Sequence, residues 1–171
     1  MGMNDPSSGA SATPWSGGCQ CGAVRYRIIE DARVCVCHCR MCQKASGGPF
    51  AVLAAVPGRA VVWTRGSPAR FRSSDVAERW FCAACGTPLA FADLSDGGLE
   101  LMVGSLDDPS QAVPVAAAGL ESYLAWVERV PGLPGRSTEA VVTTAGRPVP
   151  VSYQHPDHDT PEDWKPPAVR G

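Results

Sequence analysis

The sequence predicts a mainly β fold built from short strands. The apolar segments are short and rich in β-branched and aromatic residues, and Gly and Pro interrupt them frequently. No segment shows sustained helical periodicity. The 171 residues are enough for one domain with a single buried core, and 44% hydrophobic with 19% charged residues is typical of an ordered globular protein.

The strands can be assigned in order from residue 23. In residues 23–29 apolar residues alternate with Arg25 and Arg27, which is typical of a half-buried strand. Residues 50–56 form a continuous apolar run that ends at Pro57, which predicts a buried strand. A short helical turn is expected after Cys39. The other predicted strands are residues 33–37, 60–64, 69–72, 78–81, 89–92, 99–103 and 123–130.

Composition divides the chain into three parts. Residues 1–18 are rich in Ser, Gly and Pro and contain no apolar run, which predicts a flexible lead-in over residues 1–14 rather than a signal peptide. We expect one ordered domain over residues 15–136 and a Pro-rich, loosely ordered tail over residues 137–171, in which 140–144 could add an edge strand. His155 and His158 lie in this tail, where the surrounding Pro and Asp favour a solvated segment over metal ligands.

The overall charge and hydropathy exclude several classes of partner. Fifteen basic and seventeen acidic residues give a net charge of −2 without a basic patch, which argues against nucleic-acid binding. No segment approaches the roughly 20 apolar residues of a membrane span. We therefore expect a cytoplasmic protein, and in a reducing compartment clustered cysteines are more typical of metal sites than of disulfides.

Two cysteine pairs are suited to share one metal ion. Cys82 and Cys85 form a CxxC turn followed by Gly86, which can take the positive φ that such a turn often needs. Cys19 and Cys21 form a CxC pair whose side chains face the same side of an extended segment. Neither pair alone satisfies tetrahedral zinc, whereas together they supply four sulfurs for a structural site.

A third cluster has the spacing of a catalytic metal site. Cys37, Cys39 and Cys42 supply three sulfurs, and a catalytic zinc typically keeps three protein ligands with one open position. Cys35 lies on the same face of the extended segment, so it either closes the site as a fourth ligand or is a small buried hydrophobe. His38 alternates to the opposite face, which favours a core or supporting residue over a ligand.

Three motifs in this order resemble the glutathione-dependent formaldehyde-activating enzyme family, which also includes centromere protein V. They are GCQCGAVRY at residues 18–26, CHCRMCQK at 37–44 and FCAACGT at 81–87, with later similarity at 103–109 and 126–134. The resemblance covers about residues 15–134 and implies a β-tent fold stapled by two Zn²⁺ ions. It assigns Cys19, Cys21, Cys82 and Cys85 to a structural zinc and Cys37, Cys39 and Cys42 to a catalytic zinc.

The activity that gives this family its name is the condensation of glutathione with formaldehyde to S-hydroxymethylglutathione, formally a carbon–sulfur lyase reaction in reverse. The resulting hypothesis is a zinc-dependent lyase whose partners are a small-molecule thiol and an aldehyde. The alternative is a non-enzymatic, zinc-stapled module that binds a small thiol or a protein. Redox sensing is a weaker third reading, because Cys35 would need a resolving partner that is not already a ligand.

Overall fold

The computed structural model describes residues 14–166, so the predicted lead-in lies outside the described part except for Pro14, as do the last five residues of the tail. Within residues 14–166 there are ten strands and two short α-helices, and the prediction of a mainly β fold is confirmed. The strands are β1 (Trp15–Gly18), β2 (Arg25–Ile28), β3 (Arg33–Cys37), β4 (Ala51–Pro57), β5 (Val61–Arg65), β6 (Ala69–Arg72), β7 (Ala77–Phe81), β8 (Pro88–Asp93), β9 (Gly98–Met102) and β10 (Ala116–Ala118). The α-helices are α1 (Arg40–Ser46) and α2 (Thr138–Thr144).

The strands form two sheets that share one core. The smaller sheet has the order β1-β2-β5, and the larger has the order β10-β3-β4-β9-β8-β7-β6. All pairs are antiparallel except β10 and β3, which run parallel. Tyr26 of the small sheet and Leu89 and Leu101 of the large sheet are fully buried in one cluster. Burying each such side chain contributes about 1.5–3 kcal/mol, so this cluster holds the sheets together.

A buried ion pair joins the small sheet to the segment that follows β9. Both guanidinium Nη atoms of Arg25 on β2 donate to the carboxylate of Asp107, at 2.7 and 2.6 Å. Ser16 on β1 donates to the same carboxylate at 2.6 Å. Burial opposes the ionisation of Asp107, but these hydrogen bonds outweigh it and hold its pKa below the usual value. The paired, hydrogen-bonded geometry is what allows two charges to remain buried.

Two predicted strands are wrong, and two strands were missed. The predicted strand 123–130 is instead irregular at its first two residues and continues into the 3₁₀ segment Ala125–Gly132, because the chain has left the sheet edge at β10 and its backbone pairs with no strand of the described residues. Residues 140–144 belong to α2, whose N-terminus is capped by the Ser137 hydroxyl accepting from the Ala140 amide. The missed strands are β1, a small-residue segment paired with β2, and the all-alanine β10.

Part of the predicted loose tail packs against the domain. The His155 amide donates to the Gln20 carbonyl at 2.8 Å, and the His155 side chain is only 7% exposed. Asp159 accepts hydrogen bonds from Arg25 and Arg27. The expectation of a solvated His155 is therefore wrong, because these contacts anchor the segment despite its polar composition. Among residues 14–166, neither helix has the length and apolar character needed to cross a bilayer.

Candidate metal centres

Four cysteines from distant parts of the chain meet at one point, and we call them the four-cysteine group. The Sγ atoms of Cys19, Cys21, Cys82 and Cys85 all lie within 4.8 Å of one another. The Cys19–Cys21 Sγ distance is 3.6 Å and the Cys21–Cys82 distance is 3.8 Å. A tetrahedral zinc with sulfurs at about 2.3 Å would separate them by about 3.8 Å, so the geometry fits this ion.

Two glycine turns shape the four-cysteine group. Gly22 follows the CxC pair with φ +75°, and Gly86 follows the CxxC pair with φ +76°. Each closes its turn by donating its amide to a cysteine carbonyl, from Gly22 to Cys19 at 3.0 Å and from Gly86 to Cys82 at 2.9 Å. The positive φ expected after Cys85 is confirmed, and such a conformation favours glycine because it lacks a Cβ.

The ionisation of this group is uneven without a cation. Burial raises the pKa of the Cys21 thiol to about 12. Burial also opposes ionisation of Cys85, but hydrogen bonds, chiefly with Thr87 at 3.1 Å, outweigh it and lower its pKa to about 6. Several thiolates packed this closely would repel one another, and a coordinating metal would both deprotonate the thiols and offset their charge.

Three further cysteines gather where β3 runs into α1, and we call them the three-cysteine group. The Sγ atoms of Cys37, Cys39 and Cys42 lie within 4.8 Å of one another. Cys37 ends β3, Cys39 is the N-cap of α1, and Cys42 lies in its first turn. The Cys39 sulfur accepts the Cys42 amide at 3.4 Å, so the start of the helix itself sets the spacing.

Ionisation is uneven in the three-cysteine group as well. Burial raises the pKa of the Cys37 thiol to about 12. It also opposes ionisation of Cys39, but hydrogen bonds, first among them that from the Cys42 amide, outweigh it and lower the pKa of that thiol. Cys39 is therefore the most acidic of the three thiols without a cation.

A segment after β10 holds Cys39 in place. The His38 amide donates to the Ala118 carbonyl at 2.8 Å. Gly119, at φ +67°, lies so close that an added Cβ would be 2.4 Å from the Cys39 amide nitrogen. The side-chain amide of Gln43 bridges the carbonyls of His38 and Ser122, both at 2.8 Å. The sequence analysis missed this support, because it depends on the long-range pairing of β10 with β3.

His38 and Cys35 both lie outside the cysteine groups of the described residues. The His38 ring is buried edge-on against Phe50 and Tyr123, with centroid distances of 5.4 and 4.8 Å. Cys35 packs with the apolar cluster around Leu53, and burial raises the pKa of its thiol. Only three sulfurs therefore converge on this point, which leaves room for a further ligand.

Arg79 is a neighbour of the three-cysteine group that the sequence analysis did not identify. Its guanidinium donates to the Cys42 sulfur at 3.4 Å and stacks over the Phe91 ring, 4.6 Å from the centroid. Burial raises the pKa of the Cys42 thiol, and this hydrogen bond opposes the shift. Arg79 thus offsets part of the negative charge that three thiolates concentrate. No local signal marks it, because it approaches from β7.

A groove of about 590 Å³ opens beside Cys42 and is referred to below as the groove. Helix α1 forms one wall, and strands β6 to β8 form the other. Arg40 and Lys44, which the sequence alone offers only as weak candidates, line it together with Arg79. A small molecule in the groove would thus lie directly beside the three-cysteine group.

The fold and the two cysteine groups define a β protein with two sites suited to a metal ion. The chain belongs to the glutathione-dependent formaldehyde-activating enzyme family, whose model matches residues 14–124. The family inferred from the three sequence motifs is thereby confirmed. The matched region contains both cysteine groups and the segment around Gly119, and it ends before the tail.

Two individual proteins match part of this chain. An uncharacterized lyase of Schizosaccharomyces pombe is 34% identical over 79 residues, which is 46% of this chain and 57% of the relative. The chain thus spans little more than half of that relative. Among solved structures, the crystal structure of a Rhodobacter sphaeroides protein is 24% identical, with a TM-score of 0.47 over 60% of this chain and 98% of that one.

Proposed function

We propose that the protein is a zinc-dependent, carbon–sulfur lyase-type enzyme that forms or breaks thiol–aldehyde adducts. Glutathione and formaldehyde are the pair that the family name indicates. The observation that carries the proposal is the three-cysteine group, where three sulfurs converge beside a groove and Cys35 does not add a fourth. A cytoplasmic location, where thiols remain reduced, goes with this proposal.

Both cysteine groups suit Zn²⁺, because thiolates are soft ligands that select it over hard cations. We assign a structural zinc to Cys19, Cys21, Cys82 and Cys85, where it would staple the β-tent and its binding energy would add to folding energy. We assign a catalytic zinc to Cys37, Cys39 and Cys42. Bound there, zinc would lower the pKa of an incoming thiol and so supply a thiolate at neutral pH.

The reaction joins two groups without any change in oxidation state. The thiol sulfur forms a bond to the aldehyde carbon, the carbonyl π bond breaks, and the thiol proton ends on the carbonyl oxygen. The protein's own residues bind and orient the reactants. Arg79 offsets negative charge beside Cys42, and the groove places a largely apolar lining next to the reacting sulfur.

The proposal is tested with the zinc-loaded protein and the pair glutathione and formaldehyde. Adduct exchange, followed by NMR above the spontaneous rate, is expected for the intact protein. Cys39→Ala should abolish it, keep the circular dichroism spectrum, and lower the zinc content from about two ions per chain to about one. Cys35→Ala is the matched control on the same segment and should retain both ions and the activity. Absence of turnover with every thiol–aldehyde pair tried would contradict the proposal.

A further inference from the structure

The groove has a chemical character that bears on which thiol it accepts. Met41 and Phe71 stand on its two walls and are unusually exposed for apolar side chains, at 58% and 62%. Met102 lines it from β9, next to the buried Cys42. A ligand that covers this exposed apolar surface on both walls is stabilised by about 25 cal/mol per Å² of apolar area buried.

Apart from Cys42, whose sulfur accepts a hydrogen bond from Arg79, the charged side chains that line the groove have one sign. Three cations line it, Arg40, Lys44 and Arg79, and among the described residues that line it none is acidic. Glu78 lies on β7 beside Arg79 but is not part of the lining, and its carboxylate accepts the indole N–H of the lining residue Trp80 at 3.0 Å. A carboxylate of a ligand therefore finds partners in the groove, whereas an ammonium group meets three like charges.

We infer that the preferred thiol is an anionic one with an apolar body and no ammonium group. Glutathione carries an ammonium group and a polar peptide body, so it matches the groove in its carboxylates only. The inference rests on the proposed thiol–aldehyde reaction, and it names the class of thiol that enters. In that reaction the sulfur adds to the aldehyde carbon next to Cys42, with the thiol proton passing to the carbonyl oxygen, while the apolar body covers Met41 and Phe71.

The probe for this inference is 2-sulfanyl-3-phenylpropanoate, assayed with formaldehyde and the zinc-loaded protein. Its kcat/KM should exceed that of glutathione, and should exceed that of the ring-less 2-sulfanylpropanoate roughly tenfold, which is the effect of burying one aromatic ring. Two matched thiols separate the contributions: 2-sulfanylpropanoate lacks the ring, and 2-phenylethanethiol lacks the carboxylate. The kcat/KM of each should be lower than that of the probe. A glutathione kcat/KM equal to or above that of the probe overturns the inference.

Two variants locate the preference in the groove. Phe71→Ala should lower the kcat/KM for the probe relative to that for 2-sulfanylpropanoate several-fold. Lys44→Gln should lower the kcat/KM for the probe relative to that for 2-phenylethanethiol. Val141→Ala on α2 and Lys165→Gln in the tail are exposed matched controls and should leave both ratios unchanged. Unchanged ratios in Phe71→Ala and Lys44→Gln would overturn the inference.

Direct binding keeps this inference separate from the proposed reaction. If calorimetry finds the expected order of thiol affinities but no thiol–aldehyde pair turns over, the reaction is refuted and the class of ligand stands. If glutathione and formaldehyde turn over faster than the probe, the reaction stands and the class of ligand is refuted. If no thiol binds or reacts, both are refuted.

Discussion

Replacing Gly119 with alanine tests whether the segment after β10 positions the three-cysteine group. Its φ of +67° costs alanine about 1–2 kcal/mol by itself. The added Cβ would also lie 2.4 Å from the Cys39 amide nitrogen and 2.8 Å from its Cβ. These atoms belong to the backbone and the base of a side chain, so the strain cannot be relieved by a rotamer change.

The segment must then move away from Cys39. That movement breaks the hydrogen bond from the His38 amide to the Ala118 carbonyl, which contributes about 1 kcal/mol. We therefore expect Gly119→Ala to lower the free energy of unfolding by about 3 kcal/mol and to weaken zinc binding by the three-cysteine group. Urea denaturation measures the first effect, and competition with a chromophoric chelator measures the second.

Gly47→Ala is the matched control for Gly119→Ala. Gly47 has φ +69° and lies just after α1, but an added Cβ there meets nothing within 4 Å. Gly47→Ala should lower the free energy of unfolding by only about 1–2 kcal/mol, the cost of the left-handed backbone conformation, and should leave the affinity of the three-cysteine group for zinc unchanged. Equal losses of stability in the two variants, or equal weakening of metal binding by both cysteine groups in Gly119→Ala, would refute the positioning role of the segment.

Three further changes test other parts of the structure. Gly22→Ala should release the tail and make it sensitive to limited proteolysis, because the new Cβ would lie 2.2 Å from His155 Cδ2. Asp107→Asn should cost about 3 kcal/mol at pH 7, the lower end of the range for breaking a buried ion pair, since Arg25 loses its bidentate carboxylate partner and keeps only the contact with Asp159. Because the folded state lowers the pKa of Asp107, this carboxylate stabilises the fold above its unfolded-state pKa of about 4, and the stabilisation is lost as pH falls below that value. The free energy of unfolding of Asp107→Asn, measured with urea, should therefore fall less with decreasing pH than that of the unchanged protein. Arg79→Gln should weaken zinc binding by the three-cysteine group about 10–100-fold in chelator competition.

Each of these changes has a control of the same type. Gly97→Ala shares a positive φ with open space around it and should leave the tail protected. Asp75→Asn and Arg33→Gln remove exposed charges and should have little effect. An unreleased tail in Gly22→Ala, an unchanged acid dependence in the Asp107 variant, or equal weakening of both zinc sites in the Arg79 variant would count against the corresponding contact.

The features that depend on neighbouring residues could be predicted from the sequence. Cys37, Cys39 and Cys42 lie within six positions, so the strand-to-helix transition brings their sulfurs together. The alternation of Arg25 and Arg27 with apolar residues predicted β2 for the same reason. The joining of the two distant cysteine pairs was one option from spacing, and the family resemblance selected it.

The features that depend on distant contacts could not be predicted. Arg79 reaches Cys42 only because β7 lies across the groove from α1. Gly119 gains its importance from the parallel pairing of β10 with β3. His155 has the composition of a solvated segment around it, yet the nearby arginines and the Gln20 carbonyl supply partners that composition does not reveal.

The hairpin of β7 and β8 connects the two cysteine groups. Arg79 on β7 contacts the three-cysteine group, and three residues later the same chain enters the CxxC turn of Cys82 and Cys85. Gly86 and Pro88, which follow that turn, line the groove. A change that redesigns the groove through this hairpin therefore also acts on the four-cysteine group. The two sites cannot be treated as separate modules in protein engineering, and new substrate preferences are best introduced from the α1 wall.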